Sequence, residues 1–433
     1  MKGTASLRRR ILSRAASVTV VGQGYVGLSL ACAAAEEGFQ VTGVDVDAER
    51  IARLSAGLTV PGVAEDVLRS AAQTGRIAFT TEADMAPCEL VFICVPTPVR
   101  DGTPDLSFIE GATKSVATRL APGSLVVLES TTYPGTTEQL VRPLLETSGL
   151  VAGRDFLLAY SPERIDPGNG EFAFREVPRI VGGINAEATG MATLFYEQLV
   201  DKVVPVSSSR AAELAKLLEN TFRHVNIALV NEMAMVCNEV GIDVWEVVDA
   251  AASKPFGFMR FHPGPGVGGH CIPVDPTYLT WQVRRDAERR FRIVEQAQEI
   301  NGEMPAWVAS RIGDALNDRG LAVRGANVFV LGVAYKPDVG DVRESPAVKI
   351  AGHLHRRGAR VRFHDPFVGE ISVNGGRLYR SDLTTVAIEG TDCVALLTPH
   401  RAYDLDWVAE HAPLVFDARN AYGPNRYRNV VRL

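Results

Sequence analysis

The sequence has 433 residues, of which 46% are hydrophobic and 22% are charged, and its formal net charge is −6. This composition is typical of a globular protein, and the length predicts two or three domains. The acidic balance excludes the broad basic surface with which proteins bind nucleic acid. Six cysteines lie far apart, without the paired spacing of a disulfide framework, which favours a reducing, cytoplasmic location.

The first 17 residues are rich in arginine and precede an apolar run, so together they imitate a secretory signal peptide. The apolar run is interrupted by Gly-Gln-Gly and leads into the acidic segment VDVD, which a cleaved signal would not do. We therefore expect residues 1–17 to be a flexible basic arm. No uninterrupted apolar segment reaches the roughly 18 residues of a membrane span, so no membrane association is expected.

Residues 18–206 alternate short strand-like runs with amphipathic segments. The runs are SVTVVG, FQVTGVDVD, RIAFTT, LVFICVP, SLVVLEST and DFLLAYSP. Such alternation predicts βαβ units on a parallel sheet. From about Ser207 a helical pattern without internal proline or glycine continues to Gly241. It predicts a long helix that connects domains, and its apolar stripe favours a homodimer or a higher homo-oligomer.

Alternation of strands and helices resumes near the C-terminus. The strand-like runs there are GANVFVLGVAY, RVRFHDP, DCVALLT and PLVFDARN. We therefore expect an N-terminal domain over 18–206, a central helical and dimerisation region over 207–320, and a smaller C-terminal domain over 321–433. The predicted fold class is α/β, with two Rossmann-like parallel-sheet domains joined by a long central helix.

The segment VTVVGQGYVGLSL predicts a dinucleotide site. Gly22, Gly24 and Gly27 lie between a strand and a helix, and Asp45 ends the next strand. The glycines permit a tight turn, close approach of a pyrophosphate and close helix–strand packing, while the acid binds a ribose hydroxyl and favours NAD over NADP. The glycine motif alone could merely form a turn. Arg50 could weaken the preference by accommodating a phosphate.

Two threonines follow predicted strands of the same sheet. Thr97 lies in ICVPTP and Thr132 in LESTTYPGT. Ligands of open α/β sheets bind at the carboxyl ends of the strands, so both threonines are candidate cofactor contacts. Surface threonines in loops shaped by proline are the alternative interpretation.

The stretch GPGVGGHCIPVDP surrounds Cys271 with glycine and proline. A zinc site needs several cysteines or histidines at short spacing, and only His270 is close, so no metal is expected. A disulfide partner, a buried filler and a nucleophile remain as alternatives. A nucleophile needs a neighbouring base. Asp275 lies four residues on, and Lys216 and Asn220 lie one turn apart on the long helix, where a solvated helix face is the other interpretation.

The segments GQGYVGL, VPTP, ESTTYPG, SPERIDPGN, GPGVGGHCIPVDPTYL and GVAYKPDVGDVRESPA together resemble the UDP-glucose/GDP-mannose dehydrogenase family. The resemblance runs from about Val18 to the C-terminus. Within the family, SPER, KPFGF and GGHCIP resemble the UDP-N-acetylhexosamine branch. UDP-N-acetylglucosamine is the first expected substrate, with UDP-N-acetylmannosamine, UDP-N-acetylgalactosamine and UDP-glucose as alternatives. A non-catalytic nucleotide-sugar-binding protein is a more remote alternative, as is a hydroxyacid-type dehydrogenase, which would need neither Cys271 nor a strand-rich C-terminal region.

The resemblance implies oxidation of the sugar C6 hydroxyl to a carboxylate by two NAD⁺. It makes Cys271 the nucleophile, Lys216 and Asp275 the residues that manage water and protons, and Asn220 the oxyanion donor. It also makes Glu163 an acid that assists thioester hydrolysis and Thr132 a contact to the cofactor and that water. Polysaccharide biosynthesis is the implied context.

The same resemblance implies two sets of binding residues. The cofactor set is Gly22, Gly24, Tyr25, Val26, Gly27, Asp45, Arg50, Thr97, Thr132 and Arg343. The UDP-sugar set is Glu163, Arg164, Lys216, Phe261, Gly266, Gly268, Tyr335, Lys336 and Arg419. Within the second set, Arg164 is expected to shape the pocket around an N-acetyl group.

Overall fold

The computed structural model describes residues 2–60, 63–100, 102–164, 172–424 and 426–433. Contacts divide the chain into two compact units. The N-terminal unit comprises Met1–Glu219 and Thr277–Gln282, and the C-terminal unit comprises Asn220–Pro276 and Val283–Leu433. No helix of the described residues is long and apolar enough to cross a membrane.

The strands of the N-terminal unit are β1 (Ser17–Val21), β2 (Gln40–Asp45), β3 (Ile77–Thr81), β4 (Cys88–Ile93), β5 (Val99–Arg100), β6 (Thr103–Pro104), β7 (Leu120–Leu128), β8 (Leu157–Tyr160), β9 (Arg179–Gly183) and β10 (Val203–Pro205). One eight-stranded sheet has the order β10-β9-β8-β7-β4-β1-β2-β3. The six strands from β3 to β8 in that order are parallel, which is the topology of a dinucleotide-binding fold. β9 runs antiparallel to β8, and β5 and β6 form a short hairpin.

The helices that begin in the N-terminal unit are α1 (Lys2–Leu12), α2 (Tyr25–Glu36), α3 (Ala48–Ser55), α4 (Glu65–Gln73), α5 (Ser107–Ala117), α6 (Arg142–Glu146), α7 (Ala186–Tyr196) and α8 (Ser209–Val240). Side chains of the central strands alternate between two apolar clusters, so that Leu90 and Phe92 pack on one face of the sheet and Val91 and Ile93 on the other. Central strands with both faces covered by helices explain the continuous apolar runs in the sequence.

The expectation of a flexible N-terminal arm is corrected by α1. Leu7 and Ile11 on this helix are 4% and 0% exposed and belong to the same apolar cluster as Leu30 and Phe195. Two apolar residues four positions apart give an arginine-rich helix one buried face. The arginines between them mask this short period in the sequence.

The C-terminal unit contains a smaller parallel sheet. Its helices are α9 (Val244–Ala252), α10 (Asp275–Ala287), α11 (Arg292–Asn317), α12 (Pro346–Arg356), α13 (Thr385–Glu389) and α14 (Leu405–His411), and residues 277–282 of α10 are counted with the N-terminal unit. Its strands are β11 (Asn327–Leu331), β12 (Arg360–His364), β13 (Glu370–Val373), β14 (Gly376–Tyr379), β15 (Cys393–Leu396), β16 (Val415–Asp417) and β17 (Val430–Arg432). The sheet order is β12-β11-β15-β16-β17, and all its pairs are parallel.

The predicted α/β class with a large parallel sheet in each unit is confirmed. α8 matches the predicted long helix, and the boundary between the units falls within it, between Glu219 and Asn220. The three domain ranges expected from the sequence remain predictions.

Candidate active site

The glycine-rich turn joins β1 to α2. Gly22 has a φ of +94°, and a Cβ atom on Gly27 would lie 1.9 Å from the carbonyl oxygen of Gly22. A Cβ atom on Gly24, the N-cap of α2, would meet no described atom within 4 Å. Tyr25 and Val26 begin the helix, with half-buried side chains packed on the core. The turn thus presents the amide end of α2 to open space, as a pyrophosphate requires.

Asp45 ends β2 and is 5% exposed. Its Oδ2 accepts hydrogen bonds from the backbone N–H of Gln23 at 2.7 Å and from Arg50 Nη1 at 3.0 Å, and its Oδ1 accepts from the N–H of Asp47 at 3.0 Å. Arg50 therefore already has a carboxylate partner. Gln23, which the sequence did not single out, ties the glycine turn to this acid. The acid, the glycine turn and the open helix end fit NAD.

Thr97 and Thr132 are buried beyond the ends of β4 and β7. The carbonyl oxygen of Thr97 accepts a hydrogen bond from the Tyr278 hydroxyl, and Thr132 Oγ1 lies 2.7 Å from Thr136 Oγ1. Both threonines lie at the carboxyl edge of the sheet, where the sequence predicted them. Tyr278 and Thr136 are supporting residues that no sequence motif indicated.

Glu213 on α8 is fully buried and lies one turn before Lys216, which is 8% exposed. Its carboxylate accepts from the N–H groups of Gly135 and Thr137, at 2.5 and 2.9 Å, and from Thr137 Oγ1 at 2.7 Å. Burial raises the pKa of Glu213 to about 7, although these donors oppose the shift. Glu213 thereby fixes the loop after Thr132 to α8, and the sequence did not indicate it.

Glu163 lies in the loop after β8 and is 7% exposed. Its Oε1 accepts from the backbone N–H of Arg164 at 2.6 Å, and its Oε2 lies 2.7 Å from Nη2 of the buried Arg179. The side chain of Arg164 pairs with Glu219 at 2.7 Å. Arg179 was missed because it lies in a strand, β9, that the sequence did not predict.

In the C-terminal unit, Cys271 is exposed at the end of the glycine-rich loop. Its carbonyl oxygen accepts from the N–H groups of Val274 and Asp275, at 3.1 and 2.8 Å, and so begins α10. Asp275 is 2% exposed and accepts a hydrogen bond from the side-chain amide of Asn220 on α8. Burial, followed by the Arg343 charge, lowers the pKa of His270. Among the described residues no cluster of three or more metal-ligating side chains occurs.

The glycines of this loop pack against the C-terminal sheet domain. Cβ atoms on Gly268 and Gly269 would each lie 2.8 Å from Tyr335, and one on Gly264 would lie 2.7 Å from Arg419 Nη1. Gly266 has a φ of +118°. Only glycine allows the backbone to approach these side chains so closely.

The Gly264 end of the loop is held by buried asparagines. Asn231 on α8 accepts from the N–H of Gly264 at 2.9 Å and donates to Asn301 on α11 at 2.9 Å. Phe261, just before the loop, packs its ring on Phe222, with 5.9 Å between centroids. These contacts anchor the loop to two helices within the C-terminal unit.

Arg343 lies beside the cysteine loop. Its carbonyl oxygen accepts from the N–H of Gly269 at 3.0 Å, and its guanidinium binds both carboxylate oxygens of Asp341, the shortest contact being 2.6 Å. The bond to Asp341 raises the pKa of Arg343, and the charge of Cys271 adds to that shift. The guanidinium therefore lies within electrostatic reach of the thiol.

Asp365 and His400 hold the loop that carries Tyr335 and Lys336. Asp365 Oδ2 accepts from the N–H groups of Val333 and Ala334, at 2.8 and 3.0 Å, and lies 3.0 Å from Nε2 of the buried His400. His400 Nδ1 accepts from a backbone N–H, so the Nε2 atom carries the proton and donates. Although burial opposes it, these donors hold the pKa of Asp365 below its usual range. Both residues hold this loop in place, and the sequence did not indicate either of them.

The basic residues expected to hold the UDP-sugar differ in their surroundings. Lys336 Nζ lies 5.9 Å from the centroid of the Tyr335 ring. Arg419 donates from Nε to the carbonyl oxygen of Leu397 at 3.1 Å, and burial lowers its pKa to about 10. A guanidinium removed from water binds an anion more strongly than an exposed one, because its interactions are less screened.

Comparison with known proteins agrees with this geometry. Three domain models of the UDP-glucose/GDP-mannose dehydrogenase family match the chain: the NAD binding domain at residues 16–200, the central domain at 210–303 and the UDP binding domain at 329–424. The UDP-N-acetyl-D-mannosamine dehydrogenase of Pyrococcus horikoshii is 34% identical, over 93% of this chain and 95% of the relative.

Solved structures show the same likeness. The UDP-N-acetyl-mannosamine dehydrogenase of Staphylococcus aureus has a TM-score of 0.81 at 30% identity, covering 96% of this chain and 97% of the other. A UDP-glucose dehydrogenase from Pyrobaculum islandicum has a TM-score of 0.82 at 28% identity, covering 96% of each. The chain belongs to the UDP-glucose/GDP-mannose dehydrogenase family and is an NAD-dependent nucleotide-sugar dehydrogenase.

Proposed function

We propose that this enzyme oxidises the C6 hydroxyl of a UDP-N-acetylhexosamine to a carboxylate, in two successive oxidations through Cys271. The observation that carries the proposal is the exposed Cys271 one turn before Asp275, whose buried carboxylate is bound by Asn220. A simple alcohol dehydrogenase needs no nucleophile. A second oxidation does, because the aldehyde must first gain a heteroatom before its carbon can release another hydride.

The sugar favoured by the relatives is N-acetylmannosamine. Two relatives that cover nearly the whole chain, from Pyrococcus horikoshii and Staphylococcus aureus, are named as UDP-N-acetylmannosamine dehydrogenases. We therefore place UDP-N-acetylmannosamine before UDP-N-acetylglucosamine, which reverses the order expected from the motifs. UDP-glucose remains an alternative, since the Pyrobaculum islandicum enzyme has as similar a fold.

Each residue proposed to act on the substrate has its own chemical role. When bound, NAD⁺ supplies the hydride acceptor for each oxidation. Lys216 and Asp275 take the proton of the C6 hydroxyl, directly or through water. Cys271 adds as thiolate to the aldehyde carbon and forms a thiohemiacetal, which becomes a thioester on the second oxidation. Asn220 and Lys216 donate to the oxygen that carries negative charge at each tetrahedral stage.

Release of the product is a hydrolysis. Water adds to the carbonyl carbon of the thioester, its proton passes to Asp275 or Glu163, and cleavage of the carbon–sulfur bond regenerates the Cys271 thiolate. Arg343, within electrostatic reach of the sulfur, favours that thiolate both as nucleophile and as leaving group. Arg419 and Lys336 hold the UDP moiety, whose pyrophosphate suits two cations.

The test is the yield of NADH per sugar, with limiting UDP-N-acetylmannosamine, UDP-N-acetylglucosamine or UDP-glucose and excess NAD⁺. Two NADH per sugar are expected, at the highest rate with UDP-N-acetylmannosamine. Cys271→Ser, with a side chain of similar size, should bind both ligands but fail to complete the second oxidation. One NADH per sugar in the native enzyme, or full activity of Cys271→Ser, would remove the thioester from the mechanism.

A further inference from the structure

A cluster of three buried polar side chains surrounds one guanidinium in the N-terminal unit. Arg179, the first residue of β9, is 1% exposed and lies between two carboxylates. Its Nη2 is 2.7 Å from Glu163 Oε2, and its Nη1 is 3.5 Å from Glu129 Oε2. Glu129 directly follows β7 and is 1% exposed. The Tyr196 hydroxyl on α7 donates to its Oε1.

The cluster carries an unbalanced charge. One arginine cannot neutralise two buried carboxylates, and an uncompensated buried charge is costly. The two ion-pair distances show that Arg179 favours Glu163, while Glu129 keeps the longer contact and a neutral hydroxyl. Glu129 is therefore the carboxylate that takes up a proton most readily. Consistent with this, burial raises its pKa to about 7, with Glu163 adding to the shift and Arg179 opposing it.

The titratable and charged groups that interact with Glu129 come from four parts of the N-terminal unit. They are Arg179 on β9, Glu163 after β8, Tyr196 on α7 and the buried thiol of Cys94 after β4. The pKa of Cys94 is raised well above its usual value by burial and by both glutamates, so the thiol stays neutral. Ionisation of Glu129 therefore changes the charge that Arg179 must share, and Glu163 is the other carboxylate paired with Arg179.

We propose that Arg179 and Glu129 are positioning residues for Glu163: Arg179 fixes its carboxylate, and the charge on Glu129 sets how strongly Arg179 withdraws electron density from it. The inference rests on the proposed function, in which Glu163 assists hydrolysis of the thioester. With Glu129 protonated, Arg179 pairs with the charged carboxylate of Glu163 alone and makes Glu163 a weaker base. With Glu129 ionised, Arg179 is shared, Glu163 is more basic, and hydrolysis is faster.

The test compares the native enzyme with Glu129→Gln and Tyr196→Phe over pH 5.5–9. Thioester hydrolysis is followed as decay of the acyl adduct on Cys271 by mass spectrometry after a single turnover. In the native enzyme the rate should rise with pH, with a midpoint near 7. The Glu129→Gln side chain is neutral at every pH, so this variant should not show the rise in rate with pH. At pH 8.5 it should hydrolyse the thioester about 3- to 10-fold more slowly than the native enzyme. Tyr196→Phe removes a bond that favours ionised Glu129, so its midpoint should move upward.

The outcomes separate this inference from the proposed function. A native enzyme that yields two NADH per sugar, together with a Glu129→Gln profile that matches the native one, overturns the role of Glu129. A native enzyme that never forms the acyl adduct overturns the thioester mechanism instead. If Glu129→Gln unfolds, Tyr196→Phe decides alone, since it keeps the ring that lies 5.6 Å from the Arg179 guanidinium. An unmoved midpoint in Tyr196→Phe then overturns the inference.

Discussion

The side-chain amide of Asn220 donates a hydrogen bond to the carboxylate of Asp275, and so links the long helix α8 to the first residue of α10. An amide that donates to a carboxylate fixes the position of one of its oxygens. This one contact orients the acid that the mechanism needs four residues after Cys271. It is the feature of the site that mutation can test most directly.

Asn220→Ala should lower kcat by about 100- to 1000-fold, because it removes both the bond to Asp275 and the proposed oxyanion donor. NAD⁺ affinity should stay within about twofold of the native value, which isothermal titration can verify. The control is Asn226→Ala on the same helix, whose amide donates only to the carbonyl oxygen of Phe222 among the described contacts. Equal kcat values in the two variants would exclude Asn220 from the chemistry.

Two glycines of the nucleotide turn should respond differently to alanine. A Cβ atom on Gly27 would lie 1.9 Å from the Gly22 carbonyl oxygen, so Gly27→Ala should destabilise the fold by about 2–3 kcal/mol or more. Gly24→Ala meets open space and should keep the native melting temperature. It should nonetheless weaken NAD⁺ binding about tenfold, ~1.4 kcal/mol, because the methyl group occupies the approach to the helix end. Thermal unfolding and NAD⁺ titration of both variants test this contrast.

Cofactor choice should depend on the Asp45–Arg50 pair. Asp45→Ala removes the charge that repels a 2′-phosphate and leaves Arg50 facing it, with no carboxylate at 3.0 Å. The ratio of kcat/KM for NAD⁺ over NADP⁺ should fall by about 10- to 100-fold, ~1.4–2.7 kcal/mol. In the double variant Asp45→Ala/Arg50→Ala, the part of the increase in kcat/KM for NADP⁺ that Arg50 supplies should disappear. An unchanged ratio in the single variant would show that selectivity arises elsewhere.

Much of the fold could be predicted because its signals are local. The six runs from SVTVVG to DFLLAYSP correspond to the six parallel strands, and the pattern from Ser207 to Gly241 corresponds to α8. β9, β10 and β17 were not predicted, since strands of three to five residues carry little periodicity. α1 was obscured because only Leu7 and Ile11 mark its buried face.

The residues of the candidate site also differ in whether a local sequence signal marks them. Asp45 stands in a glycine motif whose spacing predicts a nucleotide site, while Asn220, Cys271 and Asp275 stand in segments whose family resemblance implies their chemistry. Arg179, Glu213 and His400 do not, because each acts on a residue or loop far away in sequence, brought close only by folding. Motifs and family resemblance thus indicate the groups proposed to react, while the groups that hold them are found only from tertiary contacts.

Assembly into a dimer is predicted by an apolar stripe on α8. In the C-terminal unit Phe222, Leu229, Met233, Val236 and Val240 are 48%, 57%, 39%, 45% and 61% exposed, and their spacing places them on one helix face. A continuous apolar face suits a second copy of this chain. Leu229→Lys/Val236→Lys should halve the molar mass measured by light scattering, whereas Asn238→Lys, at an exposed position on the opposite face of the helix, should not. An unchanged mass in the double variant would place the interface elsewhere.

Stability should depend on pH through Glu213. Its pKa is about 7 in the folded chain and 4.5 as an ordinary glutamate. Between these values the folded state holds a proton that the unfolded state has lost. The free energy of unfolding that Glu213 contributes must therefore fall as pH rises from about 4.5 to 7, by up to ~1.4 kcal/mol per pH unit. The contribution is complete below the unfolded pKa and is lost above the folded one.

Glu213→Gln cannot ionise, so the difference in unfolding free energy between native enzyme and variant should change with pH across this window and be constant above about pH 8. Glu129, whose pKa shifts in the same direction, is present in both proteins and cancels in the difference. Urea unfolding at pH 5, 6, 7 and 8 measures it. The exposed Glu299→Gln should give a flat difference. If the Glu213→Gln difference is also flat, the carboxylate is ionised throughout, and its three donors outweigh the cost of burial.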